Sequence, residues 1–211
     1  MNERQWRFDD DDDDSGEGEA AQQDGGGFSY GRMTQKLLES RILIVAEVVT
    51  DKLYRRIASM VTVLEAMAPD KPITVYVNSP GGSADSGFAI YDLLRFCSCP
   101  IITVANGVVA SSAVLIYLAG DDKKRFALPH ARFLLHQPST ATRGQAADIE
   151  ITAREIVKIR ERYNKVVERH TGTAADKVGK DADRDFWLSA SEAVEYGLVK
   201  KIIEKRSDIP R

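Results

Sequence analysis

Cysteine is scarce in this sequence of 211 residues: Cys97 and Cys99 are the only two, one residue apart in "RFCSCP". That spacing does not suit a long-loop disulfide, and two thiols without neighbouring histidines make a poor zinc site. They read as small apolar side chains at a helix-to-strand corner of a protein from a reducing compartment. No apolar run approaches the roughly 18 uninterrupted residues of a membrane span, and the N-terminus has no apolar segment of the secretory kind. Excess charge is small as well. The net charge is −3, and setting aside the six carboxylates Asp9–Asp14 leaves +3, which is no electrostatic footprint for nucleic acid. Neither the Walker nor the dinucleotide glycine fingerprint occurs, and no internal repeat stands out. Histidine is limited to His130, His136 and His170, so any base of that type comes from these three.

What is present is the composition of one soluble domain with an appendage: 43% apolar and 29% charged residues. Residues 1–31 join the aspartate block to glycine-rich sequence without apolar periodicity, and are expected to form a mobile acidic tail. A removable pro-segment or a charged gate are the alternatives. A transit peptide is excluded by the acidity, and metal binding by the lack of fixed geometry. Residues 32–211 form the body. From Met33, β-branched runs ("ILIVAEVV", "ITVYV", "IITVA") alternate with helical patterns, as in an α/β domain with parallel strands. The helix over 51–67 repeats apolar residues at Leu53, Ile57, Met60, Val61, Leu64 and Met67, and "APDKP" stops it. Shorter strands follow in "RFALP", "RFLLH" and "LVKKII". A long helix over about Gln145–His170 carries Ile149, Ile156, Ile159, Tyr163 and Val166 or Val167 on one stripe, with Gly172 as its C-cap. At ~1.5 Å per residue it is about 39 Å long, so the stripe either packs along its own domain or reaches a second subunit.

Two strand-to-helix junctions hold the residues capable of chemistry. In "VNSPGGSADSG", Pro80 fixes a turn angle, while Gly81 and Gly82 bare their backbone N–H groups to an approaching chain or anion. The second junction, Ala105–Ser112, sets Ser111 and Ser112 at a helix start, and two such junctions can converge at the ends of neighbouring strands. A serine there is either an N-cap or a nucleophile, and a nucleophile needs a base. The nucleophile elbow of the α/β-hydrolases requires glycines where Val109 and Ala113 stand, so that family is disfavoured. His136 closes "RFLLH" at a strand end, either facing a cleft or buried. His170 ends an exposed helix near its C-terminal dipole, and His130 follows a proline in a loop.

The stretches "NSPGGSADSGFAIYDLLRF", "KRFALPHARFLLHQP", "GQAADIEITAREIVKIRERYN" and "DADRDFWLSASEAVEYGL", in that order, resemble the proteolytic subunits of the Clp protease family, from about Leu37 to Ile203. The resemblance implies an α/β fold of the ClpP/crotonase type, built of repeated β-β-α units with a long protruding handle helix at about 140–170. It implies a serine endopeptidase with a Ser-His-Asp triad in that chain order. Laid without a gap on "GVVASSAV", the family's nucleophile falls on Ser111. His136 in "HQP" falls on the base, and Asp185, the second aspartate of D-x-x-R-D, on the orienting acid. The N–H groups of Gly82 and Ser112 fall on the oxyanion donors, with a side chain on Gly82 expected to obstruct the site, and Gly81–Gly82 on the strand that holds extended substrate.

Assembly is implied too: two stacked seven-subunit rings of this chain, joined through the long helix, with an AAA+ unfoldase of the Clp type feeding unfolded polypeptide. ATP belongs to that partner, and the chain itself takes no cofactor and no metal. The cytoplasm is the implied compartment. Tyr76, Phe96 and Phe126 fall near the family's apolar docking pockets for the ATPase, or else pack in the core.

The sequence departs from the family at Val108, Val109, Ser112 and Ala113, which replace the usual Gln, Ala, Met and Gly, and "HQPSTATRG" lacks a glycine pair. The acidic tail stands where an apolar pore-lining strand usually begins. The methyl of Ala113 is expected near the reaction centre, lowering activity or requiring a partner subunit. Three rival readings remain: a catalytically weak or inactive ring subunit of a mixed complex; a crotonase-type acyl-CoA enzyme; and a Ser–Lys peptidase using Lys123 or Lys124.

Overall fold

The computed structural model describes residues 30–210. The acidic tail expected up to residue 29 lies outside the described residues, and a helix, α1 (Tyr30–Glu39), crosses the expected boundary at residue 31. There follow β1 (Ile42–Val45), α2 (Asp51–Met67), β2 (Ile73–Ser79), α3 (Ala84–Phe96), β3 (Ile101–Ala110) and α4 (Ser112–Leu118). The second half holds β4 (Arg125–Ala127), β5 (Arg132–Leu135), α5 (Ala146–Thr171), α6 (Ala175–Asp181), β6 (Phe186–Ser189), α7 (Ala190–Glu195) and β7 (Lys201–Ile202).

The expected alternation produces a parallel sheet of order β1-β2-β3-β4-β7. β3 is long enough to serve twice. Its first half pairs Thr103–Ala105 with Arg125–Ala127 of β4, and its second half pairs Val108–Ala110 with Arg132–Leu134 of β5. β6 closes this second part antiparallel to β5, with Leu135 opposite Phe186. The sequence reading takes only "IITVA", ending at Ala105, as the strand. The strand instead continues through Gly107 at φ 109°, and the Asn78 side chain accepts the Val108 N–H at 2.9 Å where the β2–β3 register shifts.

Local chemistry explains the helices. Thr50 caps α2 by accepting the Leu53 N–H at 3.2 Å, and Asp51 favours its first turn. The helix stops at Ala68, which the following Pro69 holds in an extended conformation. Leu53, Ile57, Val61 and Leu64 are buried, while Met67 at the end of the stripe is exposed. α4 is buried on every side, as expected of a helix that is apolar apart from Ser112 and the Tyr117 hydroxyl.

α5 divides its stripe between the two alternatives: Tyr163, Val166 and Val167 pack on the domain, Ile156 and Ile159 are half-buried, and Ile149 is exposed, as are Ile151 and Val157 off the stripe. Gly172 ends it in the left-handed region at φ 78°. Cys97 is half-buried and Cys99 buried, both as free thiols.

Candidate active site

The strand register assembles the site. Ser111 follows the last residue of β3, and its N–H donates to Leu134 O of β5 at 3.0 Å. His136 follows β5, and Asp185 precedes β6. Because Leu135 stands opposite Phe186 in an antiparallel pair, the next pair outward is His136 opposite Asp185. Their side chains meet with Nδ1 3.4 Å from Asp185 Oδ1. Gln137, next after His136, donates its N–H to Ala182 O and its side-chain amide to Asp183 O, each at 3.0 Å, which pins the loop carrying Asp185. The sequence reading gave Gln137 no role. The signal lies in its place directly after His136, but its partners are 45 residues away or more.

Ser111 has φ 55° and ψ −127°, a sparsely populated conformation for a residue with a side chain. Such strain costs about 1–3 kcal/mol and is held only where the surroundings impose it. Here the Leu134 tie on one side and the buried α4 on the other impose it. Ser111 occupies the N-cap position of α4, yet its side chain makes no capping hydrogen bond, so the plain N-cap reading does not hold. The hydroxyl faces a cavity of about 380 Å³ that His136 also lines. Gly82, Ser112, Phe88, Leu115, Ile159 and Tyr163 supply much of the remaining wall. Tyr163 is buried, which pushes its phenol up from the ordinary range, and its hydroxyl donates to Ser111 O at 3.4 Å. Among the described residues, no hydrogen bond joins the Ser111 hydroxyl to the imidazole.

The two junctions do converge. A Cβ built on Gly81 would stand 2.6 Å from Ala110 O and 2.7 Å from Ser111 Cβ, so a bare backbone is required there. This corrects the expectation for Gly82. Its Cβ would strike Val49 O of the loop before α2, so Gly81, not Gly82, is the glycine whose side chain would press on the Ser111 turn. Val49 pairs with this turn by donating to Gly81 O and accepting from Ser83 N–H, both at 2.8 Å. The Gly82 N–H takes no part in that pairing. Ser112 N–H, first of α4, likewise precedes the helix ladder.

His170 is not an exposed helix end: its side chain is 3% exposed, and its Nε2 lies 2.8 Å from the Tyr91 hydroxyl. Arg125, itself buried, approaches Nδ1 at 3.2 Å and donates to His170 O at 2.9 Å. His130 sits exposed in a turn. Ala113 is buried in the core and is not part of the cavity wall, so its methyl does not crowd the reaction centre as expected. Of the docking candidates, Tyr76 lines a surface cavity of about 1070 Å³, with Arg41 and Ile209 among its neighbours. Phe126 is buried in the small core cluster against which Tyr76 packs. Phe96, 88% exposed, projects from the end of α3. Among the described residues no group of three His, Cys, Asp or Glu could hold a metal, and no helix is long and apolar enough to cross a membrane.

The family model described as Clp protease matches residues 26–206. The chain is similar to ATP-dependent Clp protease proteolytic subunit 2 of Treponema denticola, with 44% identity over 178 residues, 84% of this chain and 89% of that one. Proteolytic subunit 3 of Rhizobium etli is 45% identical over 180 residues, 85% of this chain and 92% of its own. Among solved structures, a ClpP1 mutant from Listeria monocytogenes superposes with a TM-score of 0.77 at 38% identity, covering 83% of this chain and 98% of that one.

Proposed function

The chain belongs to the Clp protease family of proteolytic subunits, which are serine peptidases, and from that premise we propose that Ser111, His136 and Asp185 are its catalytic triad. The observation that supports this most is the strand order β3-β5-β6, with Ser111 and His136 lining one cavity and Asp185 lying 3.4 Å from the His136 ring. Ser111 Oγ attacks the peptide carbonyl, and His136 Nε2 takes its proton and passes it to the leaving amine. Asp185, on Nδ1, orients the ring and stabilises its charged form. The N–H groups of Gly82 and Ser112 receive the oxyanion, and Gly81–Gly82 hold an extended substrate by main-chain bonds. Water then releases the acyl group by the same proton path.

We further propose that the chain works as two stacked seven-subunit rings in the cytoplasm. Ile149, Ile151 and Val157 of α5 meet the other ring, and an AAA+ unfoldase of the Clp type, which alone uses ATP, delivers unfolded polypeptide. The cavity beside Tyr76 is the proposed docking point. A second reading, a subunit that is weakly active until assembled, rests on the missing hydrogen bond between the Ser111 hydroxyl and the imidazole. Such contacts often tighten only when substrate binds. The test is hydrolysis of a fluorogenic peptide across size-exclusion fractions, together with labelling by a fluorophosphonate. Wild type is expected to hydrolyse and label in the fraction of ring mass, and Ser111→Ala to lose at least about a thousandfold in rate and all labelling. Activity that survives in Ser111→Ala would overturn the assignment. Activity confined to ring fractions would favour the second reading over constitutive chemistry.

A further inference from the structure

Ser112 is 5% exposed, and its Oγ is a buried side-chain oxygen without a hydrogen-bond partner among the described residues. Leaving a hydroxyl in that state costs free energy that an alanine would not. The residue belongs to the wall of the 380 Å³ cavity shared by Ser111 and His136, where its neighbours Phe88, Leu115 and Ile159 are apolar. Its Cβ faces the bare Cα of Gly87 on α3, where an added Cβ would come within 2.8 Å. Serine at 112 is thus packed tightly on one side and borders open space on the other. A turn about its Cα–Cβ bond carries the hydroxyl between them.

We infer that Ser112 sets the side-chain preference of this cavity: its hydroxyl admits an uncharged polar side chain, the carboxamide of glutamine or asparagine, on the acyl side of the cleaved bond. This rests on the proposed triad, since the cavity adjoins the acyl carbon only if Ser111 is the nucleophile. A serine hydroxyl both donates and accepts, so it can meet either end of a carboxamide. The bound amide would supply the partner the hydroxyl lacks, whereas a leucine or methionine side chain fills the same space and leaves it unpaired. Lysine or glutamate would bring its charge into a cavity whose lining holds no Asp, Glu, Lys or Arg to pair with it, and is disfavoured. The signal is a specificity effect, expressed in kcat/KM ratios between substrates that differ only at that side chain.

The test compares acyl-peptide coumarin amides ending in methionine, leucine, glutamine or asparagine, with active sites counted by fluorophosphonate titration of the assembled protein. Wild type is expected to cleave the glutamine substrate within about threefold of the methionine one, the two being close in shape. Ser112→Ala is expected to lower the glutamine-to-methionine ratio about tenfold, the worth of one recovered hydrogen bond. A ratio moved by less than threefold in Ser112→Ala, or a wild type that disfavours glutamine a hundredfold, overturns the inference. Should the variant fail to assemble, the wild-type series decides alone. Ser111→Ala run on the same substrates separates the two failures: hydrolysis that persists there sinks the triad, while hydrolysis lost there with an unmoved ratio sinks only the role of Ser112.

Discussion

Two imidazole–carboxylate contacts in this protein have the same length and opposite surroundings. His136 Nδ1 stands 3.4 Å from Asp185 Oδ1, and His170 Nδ1 stands 3.4 Å from Asp122 Oδ1. His136 is 32% exposed in its side chain, at the mouth of a cavity that holds a strained serine. His170 is sealed: Tyr91 covers one ring nitrogen, and the Arg125 guanidinium crowds the other. Burial, followed by the positive charge of Arg125, pushes the pKa of His170 down to about 4. The distance between ring and carboxylate therefore says nothing about role. What distinguishes a base from a structural histidine is whether the second nitrogen is free to exchange a proton with something mobile.

Substitution should separate the pair most sharply on activity. His136→Ala is expected to cost about a thousandfold to ten-thousandfold in kcat, with little change in unfolding midpoint, as measured by peptide hydrolysis beside thermal denaturation. Asp185→Asn should follow with a loss of roughly a hundredfold to a thousandfold in kcat and a small change in KM, since only the orientation and charge of the imidazole suffer. An Asp185→Asn enzyme of wild-type rate would mean that the 3.4 Å contact has no catalytic use. His170→Ala should behave in reverse. It removes a packed ring and leaves the buried Arg125 short of a partner, so a loss of about 3 kcal/mol in stability is expected, with kcat per folded site near wild type.

The same contrast marks how far the sequence could be read. The β–α alternation, helix 51–67 and both glycine and serine junctions were visible because their signals are local: periodicity, caps and turn residues within a few positions. β6 was not visible. "FWLS" is four residues long, and it becomes a strand because β5, more than fifty positions earlier, offers an open edge. With β6 goes the reason His136 and Asp185 meet, so the pairing rested on family resemblance and not on spacing. His170 was misplaced for a similar reason. A histidine in the last turn of a helix is ordinarily solvated, and nothing near it in sequence announces Arg125 and Tyr91. The stripe of α5 was legible as apolar, but which half would be covered depended on where the domain ends.

The smallest expected effect sharpens the comparison through pH. His170 titrates near 4 when folded and near its ordinary value of about 6.5 when unfolded. Above about pH 7 both states are neutral there, and the group contributes no slope. Between about 6.5 and 4 the unfolded chain binds a proton that the folded chain refuses, so stability falls as pH falls, by up to about 1.4 kcal/mol per unit. Asp122 adds to this only at lower pH. Its hydrogen bond from Arg125 holds its carboxyl below the usual range, so its contribution is lost as pH falls through and below that range. Denaturant titrations of the assembled protein at pH 7.5, 6 and 5 should therefore show a loss that His170→Gln, which cannot titrate, reduces. A loss of unchanged size in His170→Gln would mean that another group carries the pH dependence.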